Sequence, residues 1–402
     1  MILTTALKTR SEYLLPLMIV LLAGVVRLAV SAVFPDQGFP DARAYFRAGA
    51  ALFENGVIGN THAMPLYAVV SYLSGGWLPY LDILLSAATS FLIYLLALEM
   101  GLGRFSGILA ATVTAVYPHF VFFSFSRLSE TSFIFLVCLA FLLLYREKYF
   151  WGSVVIVLSI LLRPTLDFLA PILILTFTVV VHQRGWPIIL KNLLMYAAVY
   201  VALMTPWWIH NYHFYGEFVR LNLGDGTVWY AGNNPMNQSG GGIEGGANPD
   251  VDFTRFRAID DPLERNAALK KEAFDYIQNN PGRFIELAGL KFLRFWRLWP
   301  YTKDYQSPFI VAVSLLSYGV FLFLSIGFLA KQGWARRRKI LPVMLFAGYL
   351  TAIHMILIAS VRYRLPLEPF IIIFGSYPLG HALARVFPGL PKVLGARDPL
   401  EG

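Results

Sequence analysis

The chain has 402 residues, 57% of them hydrophobic and 14% charged, with a formal net charge of +9 and a mean hydropathy of +0.59. Soluble domains carry about 25% charged residues, so this composition excludes an ordinary soluble protein and indicates a polytopic membrane protein. The positive excess lies in short loops between apolar runs, where it is a topology signal rather than a nucleic-acid footprint.

A spanning helix needs about 20 apolar residues, slightly fewer when it is buried among its neighbours. Runs of that kind lie near 12–34, 79–100, 105–123, 131–145, 150–163, 165–182, 188–206, 308–330, 340–360 and 365–386. They predict an all-α fold of about ten transmembrane helices, within a range of about 8–13. Met1 to Val33 has the look of a signal peptide, but no small-residue cleavage site follows it, and it is read as a retained first span. The single cysteine, Cys138, sits in an apolar run and allows no intrachain disulfide.

Three parts are expected: an N-terminal transmembrane module over 1–206, an extracytoplasmic loop domain of mixed structure over 207–307, and a C-terminal transmembrane module over 308–402. Lys8, Arg10, Arg104, Arg146, Lys148, Arg184, Lys191, Lys331, the run Arg336-Arg337-Arg338-Lys339, Arg385, Lys392 and Arg397 fall on one side of the predicted spans. Fewer basic residues, Arg43, Arg47, Arg127, Arg163, Arg362 and Arg364, fall in the opposite short loops. The positive-inside rule then places the N-terminus inside, and the first loop (35–78) and residues 207–307 outside.

The first outer loop contains Pro40-Asp41-Ala42-Arg43-Ala44-Tyr45-Phe46-Arg47-Ala48. Pro40 and Asp41 favour a helix start, and Asn55-Gly56 favours a stop. Within it Asp41, Tyr45, Ala48 and Leu52 follow the i, i+4, i+7, i+11 pattern of one face. Such a helix at the membrane surface carries a carboxylate beside an aromatic ring, although an Asp in this place serves as a cap alone in many helices. Asp36 is a second candidate base, without a Tyr four residues on.

The loop domain opens with Trp229-Tyr230-Ala231-Gly232-Asn233-Asn234-Pro235 and a glycine cluster at 240–246. Two helical stretches follow, 263–280 and 281–299, split by Asn280-Pro281-Gly282. The second mixes basic and aromatic residues, as an interfacial helix does. The glycine cluster lacks the strand-to-helix context and the lysine of a phosphate-binding loop. His210 and His213 have ligand-like spacing but no acid beside them to complete a zinc site. His119 and His354 read as satisfied intramembrane residues.

Charges near hydrocarbon are costly and are usually paired or functional. Arg163-Pro164, Arg362-Tyr363-Arg364-Leu365-Pro366 and Ser126-Arg127-Leu128-Ser129-Glu130 all meet the predicted outer surface, the level of Asp41. Any one arginine could simply snorkel to the headgroups. Together they suggest a forked anion site for a lipid phosphate, facing an acid–base residue.

In this order the motifs resemble the bacterial polytopic glycosyltransferases of the C superfamily, in the family 39-like group related to protein O-mannosyltransferases and the lipid A aminoarabinose transferase. The resemblance rests on Asp41…Tyr45…Ala48, Pro65-Leu66-Tyr67, Ser129-Glu130, Arg163-Pro164, Pro206-Trp207 with Asn211 and Gly216, Gly232-Asn233-Asn234-Pro235, Asn280-Pro281, and Arg362-Tyr363-Arg364-Leu365-Pro366. It implies inverting transfer of a sugar from a polyprenyl-phosphate donor to an acceptor, at the outer face of a bacterial inner membrane. On that reading Asp41 is the general base, and Tyr45, Glu130, Arg163, Asn233, Asn234, Arg362, Tyr363 and Arg364 bind substrate. A divalent cation is used by some relatives, and Asp41, Glu130 and Asp36 could supply oxygens to one; the metal is left unassigned. The chain departs from the family where protein mannosyltransferases carry an acidic pair and it carries Asp41-Ala42, which favours a lipid or glycan acceptor over a protein. His210 stands where many relatives have Arg. The alternative is a secondary transporter or flippase for lipid-linked sugars, which predicts charges near the bilayer midplane and broken helices in matching halves.

Overall fold

The structure, a computed structural model, describes residues 2–34, 38–58, 62–241, 251–301 and 305–396, with side chains from Tyr13 onward. Helices dominate, and no strand occurs among the described residues. The first long helix is α1 (Ile2–Val33). Two helices, α2 (Pro40–Asn55) and α3 (Pro65–Ser74), occupy most of the expected first loop. A single tight turn, Gly75–Trp77, joins α3 to α4 (Leu78–Glu99). There follow α5 (Gly103–Val116), α6 (Pro118–Phe123), α7 (Ser129–Tyr145), α8 (Tyr149–Leu162), α9 (Ala170–Thr176) and α10 (Trp186–Tyr215).

Local chemistry sets these boundaries. Proline occupies the first position of α2, α3 and α6, where its missing N–H costs no hydrogen bond. Helix α2 ends where Gly56 takes φ +76° and donates its N–H to Leu52 O at 3.0 Å, the left-handed stop expected of Asn-Gly. Gly49 lets α2 lie directly on α3, since a Cβ there would stand 2.2 Å from Ala68 O. Helix α10 continues through Pro206 to Gly216, and the chain then folds back along its last turns. Trp207 Nε1 donates to Leu221 O at 2.7 Å, and Asn211 Nδ2 to Val219 O at 2.8 Å.

The next segment contains α11 (Asp225–Gly232), α12 (Pro262–Asn279) and α13 (Pro281–Phe295), with a small core of Tyr230, Phe256, Leu269 and Ala273. Asp261 caps α12 through Leu263 N and Glu264 N. The chain returns through α14 (Pro308–Ser314), a π turn at Leu315–Gly319, and α15 (Val320–Gln332). It ends in α16 (Arg337–Ile356), α17 (Val361–Arg364), α18 (Glu368–Val386) and α19 (Leu390–Val393).

Among the described residues, five stretches are long and apolar enough to cross a membrane: Tyr13–Val33, Pro65–Glu99, Trp186–Tyr215, Pro308–Gln332 and Arg337–Ile356. The protein is therefore a multi-pass membrane protein. The Pro65–Glu99 window is 67% buried and the other four only 22–28%, so α4 sits at the centre while the others present apolar flanks outward. Around α4 pack α1, α5 and α7, and α18 lies against α5 and α15. Gly103–Val116, Ser129–Tyr145, Tyr149–Leu162 and Ala170–Val181 are apolar but shorter.

Candidate active site

Asp41 lies in the first turn of α2, just inside Pro40, while the N-cap position itself is held by Phe39, which offers no side-chain cap. The Asp41 Oδ2 accepts from Arg362 Nη1, at 2.9 Å, with the Asp41 side chain 53% exposed. The packed face of α2 holds Tyr45, Ala48 and Leu52, so the helix is anchored at its middle and offers its acidic end to solvent.

Arg362 is placed by a local device. Ser360 caps the short α17, accepting from Arg362 N at 3.3 Å, and the guanidinium then reaches back across the bundle. Its Nε donates to Glu130 Oε1, which also accepts from Arg163 Nη1. Glu130 is buried at the start of α7, and two guanidinium groups converge on this one oxygen. Burial opposes the charge on Arg362, but Glu130 and then Asp41 outweigh it and hold its pKa above the ordinary arginine value. Tyr45 completes the group: its hydroxyl lies 3.1 Å from Ser129 Oγ, which Arg163 Nη1 approaches at 3.4 Å. Burial pushes the Tyr45 phenol up, so it stays protonated and able to donate.

The structure therefore gathers Asp41, Tyr45, Glu130, Arg163 and Arg362, drawn from four regions of the sequence. The remaining candidates lie elsewhere. Arg364 is fully buried: it pairs with Glu368, donates to Phe295 O and Arg297 O at 3.0 and 2.6 Å, and lies 3.5 Å over the Tyr318 ring. Those contacts occupy the donors that a phosphate would need, and they make Arg364 a clamp between the end of α13, the π turn at Leu315–Gly319 and α18. Tyr363 stacks on His354, with centroids 4.7 Å apart. Asn233 and Asn234 are fully buried; Asn233 bonds Trp229 O and Ile356 O, and Asn234 bonds Tyr230 O and Ala231 O. Both thus brace the turn that follows α11.

Sequence reasoning passed over Asp82. This fully buried carboxylate accepts from Tyr67 at 2.9 Å and Ser132 at 3.2 Å, and Tyr67 packs edge-on against Tyr45 at 4.9 Å. A lone acid inside the apolar run near 79–100 is the signal that could have found it. His119, read from the sequence as a satisfied intramembrane residue, bonds Glu368 at 2.9 Å, whereas Lys291 was given no role of its own.

For a metal, no group of three or more His, Cys, Asp or Glu side chains comes together among the described residues. Asp41 and Glu130 are bridged by Arg362, Asp36 lies outside the described residues, and His210 Nε2 accepts the Ile58 N–H at 3.1 Å. The carboxylates present are thus arranged around guanidinium groups. An exposed carboxylate on a firm helix, beside convergent arginines, can accept a proton from one ligand while neighbouring cations hold the anionic part of another.

No known family model and no curated protein matches the chain. Its fold is similar to that of the Archaeoglobus fulgidus oligosaccharyltransferase in the apo form, with a TM-score of 0.55 and 14% identity over 96% of this chain. It is also similar to the archaeal oligosaccharyltransferase AglB from Archaeoglobus fulgidus in complex with an inhibitory peptide and a dolichol-phosphate, with a TM-score of 0.53 and 13% identity over 96% of this chain. The chain spans about half the length of these proteins, 52% of each. At such identity the likeness is one of fold.

Proposed function

We propose that this protein is a glycosyltransferase of the C superfamily, moving a sugar from a polyprenyl-phosphate donor to a hydroxyl of a lipid or glycan acceptor. The observation that carries the reading is the half-exposed Asp41 carboxylate, held at one oxygen by Arg362 while Arg362 and Arg163 converge on buried Glu130. The likeness of fold to oligosaccharyltransferases, one of them holding a dolichol-phosphate, supports it. The acceptor oxygen attacks the anomeric carbon from the face opposite the leaving group, so the configuration inverts. As the new C–O bond forms, Asp41 takes the hydroxyl proton, and the old bond between the anomeric carbon and the phosphate oxygen breaks. The departing lipid phosphate keeps that electron pair, and Arg362 and Arg163 offset its developing charge.

The reading includes about ten membrane crossings, in which the shorter apolar helices and α18 join the five long ones. It places Asp41 and residues 207–307 outside a bacterial cytoplasmic membrane. A transporter for lipid-linked sugars has less support, because the convergent charges lie at helix ends rather than in broken helices of matching halves.

Asp41→Asn tests the proposal. The amide keeps size and polarity but cannot take a proton, so transfer by the purified protein in lipid falls by about two to four orders of magnitude. Donor binding and thermal stability stay close to normal. Retention of more than about a tenth of the turnover would remove Asp41 as the base.

A further inference from the structure

The end of the bundle remote from Asp41 carries a feature that this chemistry does not use. Helix α4 runs away from the site for 22 residues, roughly 33 Å at the helical rise. At its far end a cavity of about 680 Å³ is lined by Met100, Gly101, Ala335, Arg336, Arg337, Arg338 and Lys339. Four consecutive cations thus face one hollow, and no carboxylate lines it. Glu99, next to the lining residue Met100, is engaged with Arg146 at 2.7 Å.

Positive-inside bias explains basic residues in a loop, but it does not require them to line a cavity. Two of the four are held by aromatic rings. The Arg336 guanidinium lies over Tyr377 at 5.0 Å, and that of Arg337 lies over Trp334 at 4.7 Å, while Lys339 Nζ donates to Glu99 O at 2.6 Å. Arg337, Arg338 and Lys339 also form the first turn of α16, where the helix dipole disfavours cations. An anion seated in the cavity relieves both the mutual repulsion and the dipole.

We propose that this cavity binds a phosphate-bearing anion, either the headgroup of an anionic phospholipid or free phosphate. Arginine forks match phosphate oxygens in pairs. Features of a membrane lipid site adjoin it. Leu341 and Met344 lie four and seven residues beyond Arg337, on the same helix face, and both are exposed, as is Trp334 at 80%. A headgroup held by Arg337 and Arg338 thus continues onto an apolar track suited to an acyl chain. This site stands independently of the transfer reaction proposed above.

The test uses the full-length protein, stripped of lipid in a neutral detergent. Phosphatidylglycerol, phosphatidylcholine or sodium phosphate is titrated in, while thermal unfolding and native mass spectrometry are followed. Phosphatidylglycerol is expected to raise the unfolding temperature and remain bound where phosphatidylcholine does neither, and R337Q/R338Q is expected to need at least about tenfold more of it. If phosphate alone protects as well, and through the same arginines, the ligand is free phosphate; protection by the lipid only assigns the headgroup. R337K/R338K keeps the topological charge but loses the forks, so it resolves the matter even if the glutamine variant does not fold: its response to whichever of phosphatidylglycerol and phosphate protects the wild type is expected to weaken by several-fold. An equal response of wild type and the lysine variant, or equal protection by phosphatidylcholine, overturns the proposal.

Discussion

Arg362 reaches Asp41 across 321 residues of sequence, donating from Nη1 to Oδ2 at 2.9 Å. The same guanidinium donates from Nε to Glu130, so one side chain joins an exposed acid to a buried one. The two pairs differ in kind. An exposed pair contributes about 0.2–1 kcal/mol, whereas stripping one partner from a buried one costs about 3–5 kcal/mol, because it leaves charge uncompensated.

The first prediction is a contrast in stability. Asp41→Ala lowers unfolding free energy by less than about 1 kcal/mol. Glu130→Ala leaves Arg163 and Arg362 facing each other without their acid and costs about 3–5 kcal/mol. Parallel denaturation of the two variants in detergent measures this. An Asp41→Ala loss as large as that of Glu130→Ala would make Asp41 a structural residue.

A second prediction separates charge from shape at Arg362. Its two acids are met by different nitrogens of a planar fork, which a lysine ammonium cannot reproduce. Arg362→Lys therefore lowers transfer nearly as far as Arg362→Ala, by about one to two orders of magnitude. The measurement is turnover at saturating and limiting donor. A lysine variant with wild-type turnover would mean that the fork has no part in the reaction.

The first-loop helix was legible because its signals are local. Pro40, the four-residue face and Asn55-Gly56 act within one segment, and the observed bounds, Pro40–Asn55, match them. Arg163, Glu130 and Arg362 were legible as costly charges at helix ends. The separation of Arg362 from Arg364 was not. Two arginines bracketing a tyrosine look equivalent in sequence, but α17 turns the first towards Asp41 and the second towards Glu368. Composition carries no information on that choice, which depends on where Phe295 O, Arg297 O and the Tyr318 ring end up. The buried turn contacts of Asn233 and Asn234 were not legible for a related reason, since a polar pair in a loop motif serves a buried turn as readily as a ligand. Among the described residues five helical stretches are long and apolar enough to cross a membrane, and helices as short as Tyr149–Leu162 fall below that length although they are deeply buried.

The third prediction concerns the sidedness on which the reaction scheme depends. The only cysteine, Cys138, is buried, so introduced thiols report without background. Gln278 on α12 and Arg338 on α16 are both exposed. The charge bias places the first outside and the second inside. In intact cells an impermeant maleimide is expected to label Gln278→Cys and spare Arg338→Cys, with both labelled after permeabilisation. Labelling of position 338 in intact cells reverses the topology and moves Asp41 to the inner face.

The last prediction follows from Lys291, which is fully buried on α13 without an acidic partner among the described residues. Its Nζ donates to Asn233 Oδ1 and Ile356 O, each at 3.0 Å, and so fastens α13 to α11 and to the end of α16. Burial lowers its pKa to about 7. In the unfolded chain a lysine titrates near 10.4. Between these values the unfolded state holds a proton that the folded state has shed, so the Lys291 contribution to stability rises as pH climbs from about 7 to about 10. Below about 7 both states are protonated, and the fold bears the full cost of a buried ammonium. Lys291→Met keeps the length of the side chain and removes the titration. The unfolding temperature of wild type minus that of Lys291→Met is therefore expected to grow between pH 6.5 and 9.5, while all other titrating groups cancel in the difference. Two parallel curves would show that Lys291 keeps its proton in the fold, and that the contact to Asn233 and Ile356 is made by an ammonium at every pH tested.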